Sequence, residues 1–177
     1  MNNKYKLTDE TIEVFGVKLY RIEALVDIPR CGVTRGSRGG FIEGEKHLET
    51  IGDAWVYGDA QVYGNARVSG NAQVSGNAQV YGNAWVYGNA QVYGNAWVSG
   101  NAKLQKTTDY IQVGSIGSRQ ATITYIFPQD LIITGCFCGT VAEFKKNVKK
   151  THGNNRYGKE YGAYLRFIGD MKKVRGI

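Results

Sequence analysis

The residues best suited to chemistry lie after position 110. Gly114-Ser115-Ile116-Gly117-Ser118-Arg119 brings two glycines, two hydroxyls and a guanidinium together within six positions. Glycines let successive backbone N–H groups face an anion, serines add hydroxyl donors, and arginine offers a bidentate fork, so the loop suits a phosphate. The Gly-Lys-Ser/Thr ending of a Walker loop is missing, and the same residues equally suit an ordinary tight turn. A second group, His152, Asn154, Asn155, Arg156 and Tyr161, supplies hydrogen-bonding and stacking groups for a base or ribose. Ser115, Gly117, Ser118 and Arg119 are therefore the candidates for phosphate. The second group is the candidate for the rest of a nucleotide-like ligand.

Covalent or metal chemistry is less well served. A nucleophile would have to be Cys136 or Cys138 activated by His152, a pairing that sequence separation neither supports nor excludes. His152 stands in a helix-ending Thr-His-Gly, where a structural hydrogen bond or a helix-dipole role is the commoner use. Cys136-Phe137-Cys138 lacks the two-residue spacer of zinc or redox pairs, and His47 and His152 are far apart. The three cysteines read as reduced thiols, buried as small hydrophobes. No catalytic residue, metal or cofactor is assigned, and the balance favours a protein that is not an enzyme.

These groups need a frame, and the chain supplies a repeat. From Gly52 the unit Gly-Asn/Asp-Ala-x-Val-x recurs nine times without insertion, with Ala from 54 to 102 and Val from 56 to 98, closed by Leu104. A period of six fits no α-helix, whereas a short strand followed by a Gly-Asn corner makes one flat side of a prism. The aliphatic-then-small pattern resembles the hexapeptide-repeat proteins, in which three units complete one triangular coil, and that resemblance implies three coils here, about 14 Å tall at about 4.8 Å per layer. Val and Ala point inward, and the residues beside Val point out. Both ends need caps, because a terminal coil exposes unpaired backbone.

Stacking every third unit sets Tyr63, Tyr81 and Trp97 on one face, Trp55, Tyr57 and Tyr93 on a second, and Trp85 with Tyr87 on the third. So much outward aromatic surface predicts an interface between copies of the chain. The alternative is that Tyr and Trp simply favour strands on a solvated sheet face.

The flanks read as caps and as a separate domain. Thr11 to Ile22 alternates around Gly16 as a hairpin. Pro29 to Gly40, with Arg30, Arg35 and Arg38, reads as a flexible basic loop, solvated or free to wrap a neighbouring chain or touch an anion. Phe41, Ile42, Leu48 and Ile51 suit an irregular first coil. After Leu104, strands near 110–113, 121–127 and 131–137 lead to a capping box at Thr140 and Glu143 that starts a helix to about Thr151. Lys145, Lys146, Lys149 and Lys150 near its end complement the helix dipole. A second helix, near 157–174, places Tyr157, Tyr161, Tyr164, Leu165, Ile168 and Met171 on one stripe. The domains are then a cap (1–51), the hexapeptide coil (52–105) and an α+β domain (106–177).

Charge and processing signals bound the partners. Against 15 Asp+Glu stand 22 Lys+Arg, a net +7, and the repeat contributes only Asp53, Asp59, Arg67 and Lys103, leaving the excess on the two flanks. Anionic partners are favoured, with nucleic acid left open beside nucleotides. The N-terminus has no apolar run of signal-peptide or membrane-span length, which predicts a cytosolic protein with no membrane partner.

The order hairpin, Gly-Gly-Phe-Ile-Glu, Gly-Asn-Ala-x-Val hexads, Ile-Gly-Ser-Arg, Gly-Cys-Phe-Cys-Gly-Thr and Thr-His-Gly-Asn-Asn-x-Tyr resembles hexapeptide-repeat proteins of bacteriophages and prophages over nearly the whole chain. The resemblance implies a mainly β, left-handed parallel β-helix, a homotrimer packed along its prisms, and a host bacterial cytosol. Hexapeptide acyltransferases use a histidine between prisms as general base, and no rung here contains one. The expectation is a non-enzymatic oligomer that binds a phosphate-bearing, nucleotide-like ligand and, in a phage, sequesters a host immune signalling nucleotide. A purely structural or protein-interaction module of a phage and a hexapeptide acyltransferase are the alternatives.

Overall fold

A computed structural model describes residues 2–177 as two compact units, one ending at Asp109 and the other spanning Tyr110–Ile177. The first is a three-sided parallel β-solenoid of about four turns, and the second is a four-stranded antiparallel sheet with two helices.

In the first unit β1 (Tyr5–Val14) and β2 (Val17–Ala24) form an antiparallel hairpin around Phe15 and Gly16, both with positive φ, and β2 pairs with β3 (Arg38–Ile42). Nine two-residue strands follow at intervals of six: β4 (Trp55–Val56), β5 (Gln61–Val62), β6 (Arg67–Val68), β7 (Gln73–Val74), β8 (Gln79–Val80), β9 (Trp85–Val86), β10 (Gln91–Val92), β11 (Trp97–Val98) and β12 (Lys103–Leu104). β4 to β9 each pair in parallel with the strand three further on, so eighteen residues make one turn. β3 pairs with β5 and Leu48 bridges to Val68, which supplies the layer beneath the nine regular rungs. Phe41, Ile42 and Leu48 thus serve the first coil as expected. Ile51 does not: it is 79% exposed, on the turn leading to β4.

The repeat's residue types follow from this geometry. Every repeat Val and Ala side chain is buried and fills the prism, a core that is uniform because every layer has the same width. Corner glycines adopt left-handed φ and touch the corner above: a Cβ on Gly76 (φ +70°) would lie 2.9 Å from the Gly94 carbonyl oxygen. The next residue is Asn because its amide reaches the Asn one coil away, as in Asn65 to Asn83 (3.1 Å) and Asn83 to Asn101 (3.2 Å). At the lower end, Glu43 and Glu49 accept the Gly64 and Gly70 N–H groups, each at 2.7 Å. The Lys4 ammonium, its pKa pushed down by burial, donates to the Glu49 carbonyl at 3.0 Å. At the upper end Asp109 accepts from the amides of Gln105 (2.7 Å) and Lys106 (2.9 Å), turning the chain off the coil.

The N-terminal segment also covers part of the solenoid, which corrects two of the expected interface residues, Trp55 and Tyr63. Trp55 is 0% exposed and meets Tyr5 edge to face. Tyr63 is buried with Leu19 and Phe41. Tyr57 donates its hydroxyl to the Cys31 carbonyl at 2.9 Å. Trp55 and Tyr63 are covered by their own chain and are not open to another, whereas Tyr57 stays half-buried. The basic loop is likewise docked: Cys31 lies 2.8 Å from the Asp53 carbonyl, Arg30 bonds Asn89, and Arg38 pairs with Glu10. Trp85 and Tyr93 remain 40% and 50% exposed, with Tyr81, Tyr87 and Trp97 accessible at their edges or more.

The second unit runs β13 (Tyr110–Ile116), β14 (Ala121–Ile126), β15 (Leu131–Thr134) and β16 (Phe137–Thr140), in that sheet order, then α1 (Val141–His152) and α2 (Arg156–Arg175). The Thr140–Glu143 capping box starts α1 and Asn155 caps α2. The helices bury Phe144, Tyr161, Tyr164 and Ile168 against Ile123, Tyr125 and Ile132 of the sheet. Tyr125 and Lys172 both donate to Asp130, which ties β14 to the end of α2.

Charge is divided sharply between the units. Eleven Lys+Arg stand against eleven Asp+Glu up to Asp109, and eleven against four from Tyr110 onward, so the second unit carries the whole +7. The N-terminal flank, expected to share the excess, balances its arginines with carboxylates such as Glu10 and Asp59.

Candidate functional site

The second unit contains a cleft of 370 Å³ between the β13–β14 turn, the β15–β16 turn, α1 and α2. The aromatic core forms its floor: Phe144 meets Tyr161 edge to face at 5.4 Å and Phe137 at 5.3 Å. Polar groups form its rim, namely Ser118 and Arg119 from the first turn, Thr134 and Cys136 from the second, and Asn147, Thr151 and His152 from α1. The His152 ring lies 5.6 Å from that of Tyr161 and 5.9 Å from that of Tyr157.

Arg119 is the cleft's only cation, and no carboxylate lines it among the described residues. Among the described residues the guanidinium makes a single weak contact, Nη1 donating to Cys136 Sγ at 3.8 Å, which leaves most of its fork open to an acceptor. An apolar aromatic floor below a few convergent donors is the usual build of a small-molecule site. Here the donors suit an anionic group, with the rings available to a planar one.

Four of the nine expected ligand residues, Ser118, Arg119, His152 and Tyr161, line this cleft; the other five do not. The Gly117 N–H donates to Glu160 Oε2 at 3.0 Å, so its own chain takes the amide expected for phosphate. Gly117 is glycine because a Cβ would fall 1.9 Å from the Tyr161 hydroxyl, in a backbone with φ +77°. Arg156 is paired with Glu160 (2.9 Å), and Asn155 accepts from the Tyr157 and Gly158 amides to cap α2. Ser115 is exposed on a bulge in β13, and Asn154 lines a different groove, with Lys159 and Arg166.

Sequence reasoning missed Thr134, Asn147 and Thr151. Two of them were legible: Asn147 and Thr151 lie three and seven positions beyond Phe144, on the same side of α1.

His47 is completely buried, with Nδ1 2.8 Å from the Gly44 carbonyl and Nε2 3.0 Å from that of Gly64, and so meets no substrate. Cys136 and His152 share the cleft rim. Cys136 and Cys138 are exposed and Cys31 half-buried, which corrects the expectation of three buried thiols: the first two stand on the β15–β16 hairpin, outside the core. No cluster of three or more metal-ligating side chains occurs among the described residues, nor any helix long and apolar enough to cross a membrane.

The family model described as the YdcK beta-solenoid repeat matches residues 60–76, 78–90 and 90–102, within the regular rungs. No curated protein matches the chain.

Proposed function

We propose that this protein is a non-enzymatic binder in which the solenoid serves as a rigid scaffold and the cleft of the second unit captures a small phosphate-bearing, nucleotide-like molecule. One observation carries the reading. Ser118, Arg119, His152 and Tyr161, spread over more than forty residues of sequence, line one cleft with an aromatic floor and a guanidinium that lacks a carboxylate partner. Arg119 and Ser118 receive the phosphate, Asn147, Thr151 and His152 the sugar or base edge, and the exposed edges of the rings the base plane.

The solenoid joins copies through its exposed aromatic residues, Trp85 with Tyr87, Tyr93 and Trp97, as a homotrimer. In the phage setting implied by the resemblance, such an assembly withdraws a signalling nucleotide from the host without chemistry. Calorimetric titration with cyclic and linear nucleotides, including ADP-ribose derivatives, tests this. Saturable heat without product formation is the expected result, and turnover of acetyl-CoA with no nucleotide heat contradicts it.

A further inference from the structure

Outside the cleft, the second unit carries cations that its own fold leaves unused. Arg156, Lys172 and Lys173 are paired with Glu160, Asp130 and Asp170. Lys146, Lys149, Lys150, Lys159 and Arg166 are all exposed and have no carboxylate within ion-pair distance among the described residues. Lys149 and Lys150 occupy the last turn of α1. Just beyond it begins a groove of 400 Å³ lined by Gly153, Asn154, Gly158, Lys159, Gly162 and Arg166. Gly162 places no side chain between the two cations, and Gly158 packs against the Gly153 carbonyl, so backbone lines the groove beside its charged walls. Lys159 and Arg166 lie seven residues apart on one face of α2, their α-carbons about 10 Å apart along the helix, and the Arg166 guanidinium reaches back toward Gly162.

Five exposed cations without carboxylate partners among the described residues, spread over α1 and α2, suit an extended polyanion better than one small anion. We propose that the surface from Lys146 to Arg166 docks the phosphate backbone of a nucleic acid, by contacts that carry no base specificity. An anionic lipid surface has the right charge, but the groove has no apolar side chain to insert, and Asn147 and Thr151 beside the α1 lysines are polar. The proposal is independent of the cleft, whose cation is Arg119.

The test is fluorescence anisotropy of the full chain with labelled DNA and RNA single strands of about 30 nucleotides, in two unrelated sequences, between about 50 and 200 mM salt. Both sequences should bind alike. With about four phosphates neutralised, affinity should fall about 50-fold across that range. Lys149→Gln with Lys150→Gln, or Lys159→Gln with Arg166→Gln, should each reduce the fall to about sevenfold, since two contacts are removed. These side chains are exposed, so unchanged melting curves will show that the variants are folded. Arg119→Ala should leave strand binding intact, which separates this proposal from nucleotide capture. No binding at low salt, affinity insensitive to salt or to both double variants, or binding only to vesicles of phosphatidylserine and phosphatidylcholine would overturn it.

Discussion

The backbone N–H of Gly117 donates to the carboxylate of Glu160, 43 positions later, at 3.0 Å. This bond fixes the β13–β14 turn against α2 and sets Ser118 and Arg119 at the rim of the cleft. Glu160→Gln keeps the shape but weakens the charge-assisted bond and releases Arg156. It should loosen ligand binding several-fold while leaving the solenoid intact, as read by calorimetry and by amide exchange at Gly117.

Three carboxylates of the second unit are held below their ordinary range. Glu160 is lowered first by the Gly117 amide and then by Arg156, and Glu143 by the Thr140 amide and hydroxyl. For Asp130 burial pushes upward, but hydrogen bonds from Lys172 and Tyr125 outweigh it. A folded pKa below the unfolded one contributes stability that is complete above the unfolded value and lost as pH falls through the folded one. The second unit should therefore keep its stability above the ordinary values of 4.5 for Glu and 3.8 for Asp, and lose it progressively below them. Calorimetric scans between neutral and acid pH check this; in Glu143→Gln with Glu160→Gln the dependence should flatten.

The solenoid's tolerance of change depends on direction. Val80→Ala, in the middle of the β5–β8–β11 column, removes two buried methyl groups and should cost about 2 kcal/mol. Gly76→Ala strains a left-handed corner against the Gly94 carbonyl and should cost about 1–3 kcal/mol. Denaturant melts report both.

Exposed and covered aromatic residues should behave differently. Trp85→Ser with Tyr93→Ser should convert a species of three times the 19.5 kDa chain mass into monomer with little change in melting temperature. Trp55→Ala opens a cavity under the N-terminal segment and should destabilise by about 3–5 kcal/mol. Native mass spectrometry and thermal melts distinguish the two effects.

Tyr164 carries a buried hydroxyl with no hydrogen-bond partner among the described residues. Tyr164→Phe should therefore be neutral or stabilise the second unit by up to about 1 kcal/mol, read from its melting transition.

The solenoid was legible because its information is local: a six-residue period, a corner glycine and two inward side chains specify each rung, and stacking repeats the rule. The capping box at Thr140 was local too. The burial of Trp55 and Tyr63 was hidden because it depends on β2 pairing with β3, and on β3 joining the rungs, across gaps that no period signals. The partner of the Gly117 N–H was hidden for a similar reason, since the Glu160 carboxylate that accepts it lies 43 positions away. Arg119 and His152 were singled out by residue type, but only the packing of α1 on the sheet shows that they line one cleft with Asn147 and Thr151.

The most direct test of the account compares the parent chain with Arg119→Ala by calorimetry against nucleotides, with native mass as control. The account expects saturable binding that is lost in the variant while the oligomer mass stays the same. Undiminished binding in Arg119→Ala, or no nucleotide bound by the parent chain, would contradict it.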